Sequence, residues 1–206
     1  MTATGARRRG RPGYDVDSLL AVAVAVFNER GYDGTSMEDL SQRLGIAKSA
    51  IYHHVAGKEE LLRLSLDRAL DGLFGVADRV RATDAPAVDR LELLVRGSVE
   101  VLQRELPHVT LLLRVRGNTE VERAALERRR SFDRFVAGLV RQAERDGDIS
   151  PALSPTVTAH LLFGLVNSLV EWYRPGSRTT GASLADAVAA LAFDGLRARG
   201  EPPARR

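Results

Sequence analysis

The chain has 206 residues, of which 44% are hydrophobic, and a formal net charge of +3. It contains no cysteine, which excludes disulfides and thiolate metal sites. No apolar run approaches the roughly 20 residues that cross a bilayer, and the first residues lack the apolar stretch of a signal peptide. We therefore expect a cytoplasmic protein that has no membrane partner.

Residues 1–14 are predicted to form a flexible basic arm. Four arginines and no acid lie in this segment, and the glycine and proline among them block regular structure. The sequence Arg9-Gly10-Arg11-Pro12 resembles the core of an AT-hook, a peptide whose arginines enter the minor groove of DNA. A solvated terminus that adds only nonspecific attraction is the alternative. On either interpretation Arg9 and Arg11 are candidate DNA contacts.

Three short helices are predicted between residues 15 and 60. The first runs from about residue 17 to residue 30 and buries one apolar face. Ser36 can cap the second, with Asp39 three residues later completing a capping box, and Gly45 can end it in a left-handed conformation. The third spans about residues 48–54. This order of capped helix, glycine turn and short helix predicts a helix-turn-helix domain.

The third helix and its surroundings carry the candidate contacts to DNA. Lys48 and Lys58 are the only lysines among 30 basic residues, and a compact ammonium suits a phosphate contact. The outward face of the third helix would offer ammonium, hydroxyl, phenol and imidazole groups to a major groove. An ordinary helical hairpin with a polar face is the alternative. The candidate contacts are Thr35, Ser36, Lys48, Ser49, Ala50, Tyr52, His53 and Lys58.

Residues from about 15 to 62 resemble the DNA-binding domain of the TetR family of bacterial transcriptional regulators. The resemblance lies in AVFNERGYDGTS (residues 25–36), LGIAKSAIYHHV (44–55) and KEEL (58–61). One departure is Ala47, where the family often has serine or threonine; alanine cannot cap the recognition helix, which costs about 1 kcal/mol. The resemblance implies an all-α protein of about nine helices that binds a palindromic operator as a dimer.

Six further helices are predicted, and they form a ligand-binding and dimerisation domain over residues 61–199. A flexible tail is predicted at residues 200–206. The fourth helix begins in the DNA-binding domain and ends in the ligand domain, so it can link the two. The predicted helices span about residues 58–80, 87–105, 107–117, 119–145, 154–174 and 183–199, the last capped by Ser183.

The last two predicted helices indicate a homodimer. The eighth carries apolar residues over too wide an arc for one packing face, and the ninth is rich in alanine. Small residues allow helices to approach closely, so the pair is expected to form half of an intersubunit four-helix bundle. Burial within one subunit is the alternative.

Residues 163–176 resemble the eighth helix of TetR regulators that sense acyl-coenzyme A thioesters. Within that branch the whole chain most resembles the actinobacterial repressors of phenylacetate degradation. Such a ligand has an apolar acyl end and a polyanionic head, so it needs an apolar cavity with arginines at the mouth. An alternative is that Trp172 closes the bundle and Asn167 bonds a backbone carbonyl. Interior glycines such as Gly97 could leave room for the ligand. The candidate ligand contacts are Leu112, Arg116, Phe132, Phe135, Asn167, Trp172 and Arg174.

An enzyme is the competing class, and the sequence gives it little support. The four histidines form no metal-binding pattern, and neither a glycine-rich phosphate loop nor a nucleophile elbow is present. We therefore predict no catalytic residue, no metal and no cofactor. The expected function is a repressor that an acyl-coenzyme A, first of all phenylacetyl-coenzyme A, releases from its operator. A TetR-type regulator of efflux or lipid metabolism with another hydrophobic ligand, and a DNA-binding protein without a ligand, remain alternatives.

Overall fold

The computed structural model describes residues 15–176 and 181–196, and all of its regular elements there are helices. The expected all-α class is therefore confirmed. The predicted arm and tail, including Arg9 and Arg11, lie outside the described residues. The helices are α1 Val16–Arg30, α2 Met37–Leu44, α3 Lys48–Tyr52, α4 Lys58–Ala82, α5 Ala87–Arg104, α6 Leu106–Arg114, α7 Glu120–Arg145, α8 Pro155–Asn167, α9 Leu169–Trp172 and α10 Gly181–Leu196.

The chain forms two compact units, one up to Leu62 and one from Arg63 onward, and α4 runs through the boundary. In the first unit both halves of the predicted capping box are present, because Ser36 accepts from the Asp39 amide and Asp39 accepts from the Ser36 amide. Gly45 ends α2 with φ 66°, a conformation that favours glycine. The capping box and Gly45 therefore predicted both ends of α2 correctly.

The third helix is shorter than predicted. It ends at Tyr52, and Ala47 makes no side-chain hydrogen bond to its first turn. Ile51 and Val55, whose four-residue spacing places them on one side of a helix, are both buried. The burial of this pair fixes which face of α3 remains exposed.

In the second unit α5 lies at the centre and contacts α7, α8 and α10. A Cβ on Gly97 of α5 would lie 2.5 Å from the Val76 Cγ1 on α4, so the glycine allows these two helices to pack closely. The expectation that Gly97 leaves room for a ligand is therefore wrong. Val76 fills that space.

The eighth helix does not continue to residue 174 as predicted. The Ser168 N–H keeps its helical bond to the Gly164 carbonyl at 3.0 Å, but the Glu171 N–H bonds the Ser168 carbonyl, three residues back, at 3.2 Å. This bond has the spacing of a 3₁₀ turn, which is tighter than an α-helical turn. The helix is interrupted at Ser168, and the chain then forms one more helical turn, α9. When α8 and α9 are counted as one interrupted helix, the described residues contain nine helices, as predicted.

The last helix also begins earlier than predicted. α10 starts at Gly181, so Ser183 is inside the helix and does not cap it. Within the described part of the chain, none of the helices combines the length and the apolar character that crossing a bilayer requires.

Candidate nucleic-acid interface and ligand cavity

The outward face of α3 carries most of the predicted DNA contacts. Lys48, Ser49, Tyr52 and His53 are exposed, and Tyr52 is 51% exposed although it is aromatic. Ala50 is half-buried beside them. Burial of a phenol ring of this size is normally favourable, so an exposed tyrosine on a short polar face is suited to a contact with another molecule.

Lys48 forms an ion pair with Glu38 on the first turn of α2. Its Nζ lies 2.6 Å from the Glu38 carboxylate, and both side chains are about half exposed. The hydrogen bond from Lys48 lowers the pKa of Glu38 and raises the pKa of Lys48. Two of the three ammonium donors remain for a phosphate, because an ammonium carries three.

Lys58 is not exposed as predicted, and this corrects its assignment as a phosphate contact. Its Nζ donates to the Tyr32 carbonyl at 2.9 Å and to the Thr35 carbonyl at 2.8 Å. The ammonium also lies 4.1 Å from the centroid of the Tyr32 ring, within the range of a cation–π interaction. Lys58 therefore holds the loop between α1 and α2 in place.

Thr35 is also part of this loop and not of the exposed face. Its side chain is 2% exposed, and its hydroxyl donates to the Gly31 carbonyl at 2.7 Å. A hydroxyl used in this way is unavailable to a base or phosphate. Ser36, by contrast, is exposed and caps α2.

A cavity lies in the second unit among α4 to α8. Its free space is about 470 Å³ when the open mouth is included, but only about 40 Å³ is enclosed. Three predicted ligand residues, Leu112, Phe132 and Asn167, line it. The other lining residues are Leu73, Ser98, Leu102, Val109, Leu113, Arg129, Asp133, Phe163 and Val166.

A groove between α7 and α8 adjoins the cavity. Arg129, Asp133 and Asn167 line both the cavity and the groove, so the two spaces meet at these side chains. Beyond them the groove is wider and basic. Its remaining side chains include Arg130, Arg134, Arg141, Thr156 and His160.

The arginines of this groove differ in their partners. Arg130 and Arg134 both bond Glu127, at 3.2 Å each. Arg129 and Arg141 make no ion pair with any residue in the described ranges 15–176 and 181–196. The groove therefore has an excess of positive charge that an anionic ligand would neutralise.

Asp133 lies at the junction of the cavity and the groove and is half-buried. Burial raises the pKa of its carboxyl, and the positive charges of Arg129 and His160 oppose that effect. Its carboxylate forms no hydrogen bond or ion pair to another described residue. Asp133 is thus an acid that lines both the cavity and the groove and has no hydrogen bond or ion pair to a described residue.

Four predicted ligand residues lie elsewhere, two of them near α7. Arg116 is exposed, and its backbone amide, with those of the next two residues, bonds the buried Glu122 carboxylate. This turn ends α6 early and turns Arg116 outward. Phe135 packs under the guanidinium of Arg81, 4.3 Å from its ring centroid, and so faces α4 instead of the cavity.

The other two predicted ligand residues, Trp172 and Arg174, come after the interruption of the helix at Ser168. Trp172 is 54% exposed and does not line the cavity. Five residues turn a helix by about 140°, so Trp172 would not share the face of Asn167 even without the interruption. The Arg174 guanidinium donates to the carbonyls of Tyr173 and Glu171, which holds it against its own turn.

The basic groove was not predicted from the sequence, although the spacing of its residues indicates it. On α7 its residues follow spacings of four, three and four (130, 134, 137, 141), and on α8 they follow spacings of four, four and three (156, 160, 164, 167). Both spacings place side chains on one helix face. Arginine is so frequent in this chain that the arginines on this face of α7 do not stand out from the rest.

Apolar side chains remain exposed on α8 and α10. Leu161 is 61% exposed, Leu191 is 69% exposed, and Val157 on α8 is also exposed. Large apolar side chains on two adjacent helices are typical of a surface that another protein covers. In the described residues no cluster of three or more histidine or acidic side chains could hold a metal ion.

Two family models match this sequence. "Bacterial regulatory proteins, tetR family" matches residues 19–64, and "Tetracyclin repressor-like, C-terminal domain" matches residues 84–196. The HTH-type transcriptional repressor KstR2 of Mycobacterium tuberculosis H37Rv is 27% identical over 190 residues, which cover 88% of this chain and 92% of KstR2.

Two solved structures are similar to this protein in fold. A TetR-family regulator from Streptomyces coelicolor A3 is 58% identical, with 87% of this chain and 91% of that chain covered and a TM-score of 0.81. AibR, solved in complex with isovaleryl coenzyme A and operator DNA, is 29% identical, with 86% and 97% covered and a TM-score of 0.71.

Proposed function

Because this chain belongs to the TetR family of bacterial transcriptional regulators, we propose that it is a homodimeric repressor released from a palindromic operator by an acyl-coenzyme A. Phenylacetyl-coenzyme A is the first candidate effector. The observation that carries this proposal is that an apolar cavity and an arginine groove adjoin and share lining residues. The AibR complex supports it, since that relative was solved with an acyl-coenzyme A and DNA together.

The chemistry of the two spaces matches the two ends of such a ligand. The acyl group would enter the cavity beside Leu112, Phe132 and Phe163, where burial of apolar surface is favourable. The phosphates of coenzyme A would lie in the groove against Arg129 and Arg141, which have no carboxylate partner among the described residues. Charge-assisted bonds of this kind are worth about 1.5–3 kcal/mol each.

The size of the cavity explains why binding would change the protein. The enclosed space of about 40 Å³ is far smaller than the roughly 150 Å³ of a cavity that holds benzene. An acyl group therefore has to displace side chains from the lining. A ligand that fits only the displaced arrangement binds that state better and shifts the population toward it.

DNA binding would use α3 of each subunit. Lys48, Ser49, Tyr52 and His53 form its exposed face, and the two recognition helices would enter successive major grooves about 34 Å apart. Dimerisation would bury the exposed Leu161 and Leu191 of α8 and α10 against the second subunit. If the effector alters the spacing of the recognition helices, it must lower operator affinity, and DNA must lower effector affinity by the same factor.

The test begins with selection of the operator from a random DNA library and its binding to the protein by fluorescence anisotropy. The complex is then titrated with phenylacetyl-, isovaleryl- and palmitoyl-coenzyme A, free coenzyme A and phenylacetate. We expect release by a thioester at a concentration at which free coenzyme A and phenylacetate leave the complex intact. Release by cationic drugs but by none of the thioesters would overturn the proposal.

Substitutions of the groove arginines test where the phosphates of coenzyme A bind. Arg129→Ala and Arg141→Ala should each raise the thioester concentration that gives half release by about ten-fold or more, since 1.4 kcal/mol corresponds to a factor of ten. Arg123→Ala is the matched control, because Arg123 is also on α7 but pairs with Glu120 at 2.6 Å and lies outside the groove. Equal effects of all three substitutions would place the phosphates elsewhere.

A further inference from the structure

Asp133 is the one acidic residue among the side chains that line the cavity and the groove. Any ligand with an apolar end in the cavity and an anionic end in the groove has to pass this carboxylate. Asp133 makes no hydrogen bond or ion pair within the described parts of the chain. The charges of Arg129 and His160 oppose the effect of burial on this carboxyl, but no donor within the described residues bonds it directly, although a buried carboxylate normally has such a donor.

We propose that Asp133 is a specificity-determining residue, which excludes free carboxylic acids from the cavity and admits their uncharged thioesters. This inference rests on the function proposed above. It assigns to one side chain the discrimination between an acid and its coenzyme A ester, which the groove arginines alone do not explain. Arginines attract both ligands, since both are anions.

The exclusion follows from the position of the charges. A free acid that places its apolar group in the cavity has its carboxylate at the junction, next to Asp133. Two carboxylates in one partly buried site repel each other, and one of them must take up a proton or leave. A thioester has only a carbonyl at that point, and the amide N–H groups of its pantetheine arm can donate to Asp133.

Arg129 strengthens the same discrimination. It lines the junction with Asp133, and its positive charge acts on that carboxyl. While Asp133 is ionised, its negative charge opposes the attraction of Arg129 for a second carboxylate placed beside it. When Asp133 is replaced by a neutral residue, the repulsion is lost and Arg129 becomes available to the acid. A regulator of this kind responds to the product of acid–coenzyme A ligation and not to the acid that is ligated.

Asp133→Asn, which keeps the shape and removes the charge, tests the inference. Binding of phenylacetate and of phenylacetyl-coenzyme A to the full-length dimer is measured by isothermal titration calorimetry. We expect Asp133→Asn to bind phenylacetate at least ten-fold more tightly than the wild type, and the ratio of phenylacetate affinity to thioester affinity to rise at least ten-fold. Asp133→Glu, which keeps the charge, is the matched control and should bind phenylacetate as weakly as the wild type.

The outcomes separate this inference from the proposed function. If the wild type binds the thioester but Asp133→Asn gains no affinity for phenylacetate, the role of Asp133 is overturned and the function stands. If Asp133→Glu gains as much affinity as Asp133→Asn, the charge is not the cause and the role is also overturned. If the wild type binds no thioester of the series, both proposals fail. Circular dichroism on each variant verifies that the fold is retained.

Discussion

The guanidinium of Arg128 on α7 lies 2.7 Å from the Asp67 carboxylate on α4. Its second terminal nitrogen bonds Asp71 at 2.6 Å, one turn further along α4, and the group lies 5.4 Å from the Phe74 ring centroid. Arg128 thus holds three positions on one face of α4. The residue after it, Arg129, lines the cavity.

This relationship predicts that Arg128→Ala weakens the coupling between effector and operator. Phe132 in the cavity wall also contacts Phe74, with centroids 6.0 Å apart, so displacement of the wall and the bonds of Arg128 act on the same stretch of α4. We expect the thioester affinity of the free protein to change by less than about three-fold. The factor by which the thioester lowers operator affinity should fall several-fold, which corresponds to the 0.5–2 kcal/mol typical of such residues.

Operator affinity is measured for the wild type and for Arg128→Ala, each with and without phenylacetyl-coenzyme A. The ratio of the two affinities of each protein is its coupling factor. Arg145→Ala is the control, because Arg145 is on the same helix and bonds only Gln142 of that helix among the contacts described. A coupling factor in Arg128→Ala equal to that of the wild type would show that α4 is not moved through this contact.

The two lysines are predicted to respond differently to replacement by alanine. Lys58→Ala removes two charge-assisted bonds to the loop carbonyls of Tyr32 and Thr35. It should lower the free energy of unfolding by about 1–2 kcal/mol. Lys48 is exposed and paired only at the surface, so Lys48→Ala should change stability by less than about 0.5 kcal/mol and instead weaken operator binding.

Urea unfolding and operator titrations at several salt concentrations distinguish the two roles. Loss of a phosphate contact reduces the salt dependence of binding by about one ion, and we expect that reduction for Lys48→Ala and not for Lys58→Ala. If Lys58→Ala were as stable as the wild type and showed the reduced salt slope, Lys58 would be a phosphate contact after all.

His108 makes the stability of the second unit depend on pH. Its Nδ1 lies 3.1 Å from the Ser65 carbonyl oxygen, which can only accept, so Nδ1 carries the proton. Burial lowers the pKa of His108 from about 6.5, and the bond to Ser65 opposes this in part. The nearby charges of Arg68 and Glu105 lower and raise this pKa, respectively.

The unfolded chain therefore binds a proton at His108 before the folded protein does as the pH falls. The free energy of unfolding should be at its full value above about pH 6.5 and decrease below it, by up to about 1.4 kcal/mol per pH unit, until the folded pKa is passed. Urea unfolding at about pH 7.5 and about pH 5.5 measures this loss. His108→Gln should lose less between the two values, while His53→Gln, at an exposed site, should lose as much as the wild type.

The sequence predicted those parts of the fold that depend on neighbours in the chain. Ser36 and Asp39 form their capping box within one turn, and Gly45 ends α2 because of its own backbone freedom. The same reasoning failed at Ser168. It lies in an apolar helical pattern, yet the Glu171 N–H bonds the carbonyl three residues back and the helix is interrupted there.

The order of the helices, the DNA-binding domain and the exposed face of α3 could be predicted from the sequence, since helical periodicity and capping are local properties. The partners of the charged side chains depend on how the helices pack. Lys58 turns to the loop carbonyls of residues 32 and 35. Arg129 lines the cavity and Arg141 lines the groove, whereas the predicted Arg116 and Arg174 line neither. A long side chain reaches whichever surface packing brings near it, and that surface belongs to residues distant in the chain.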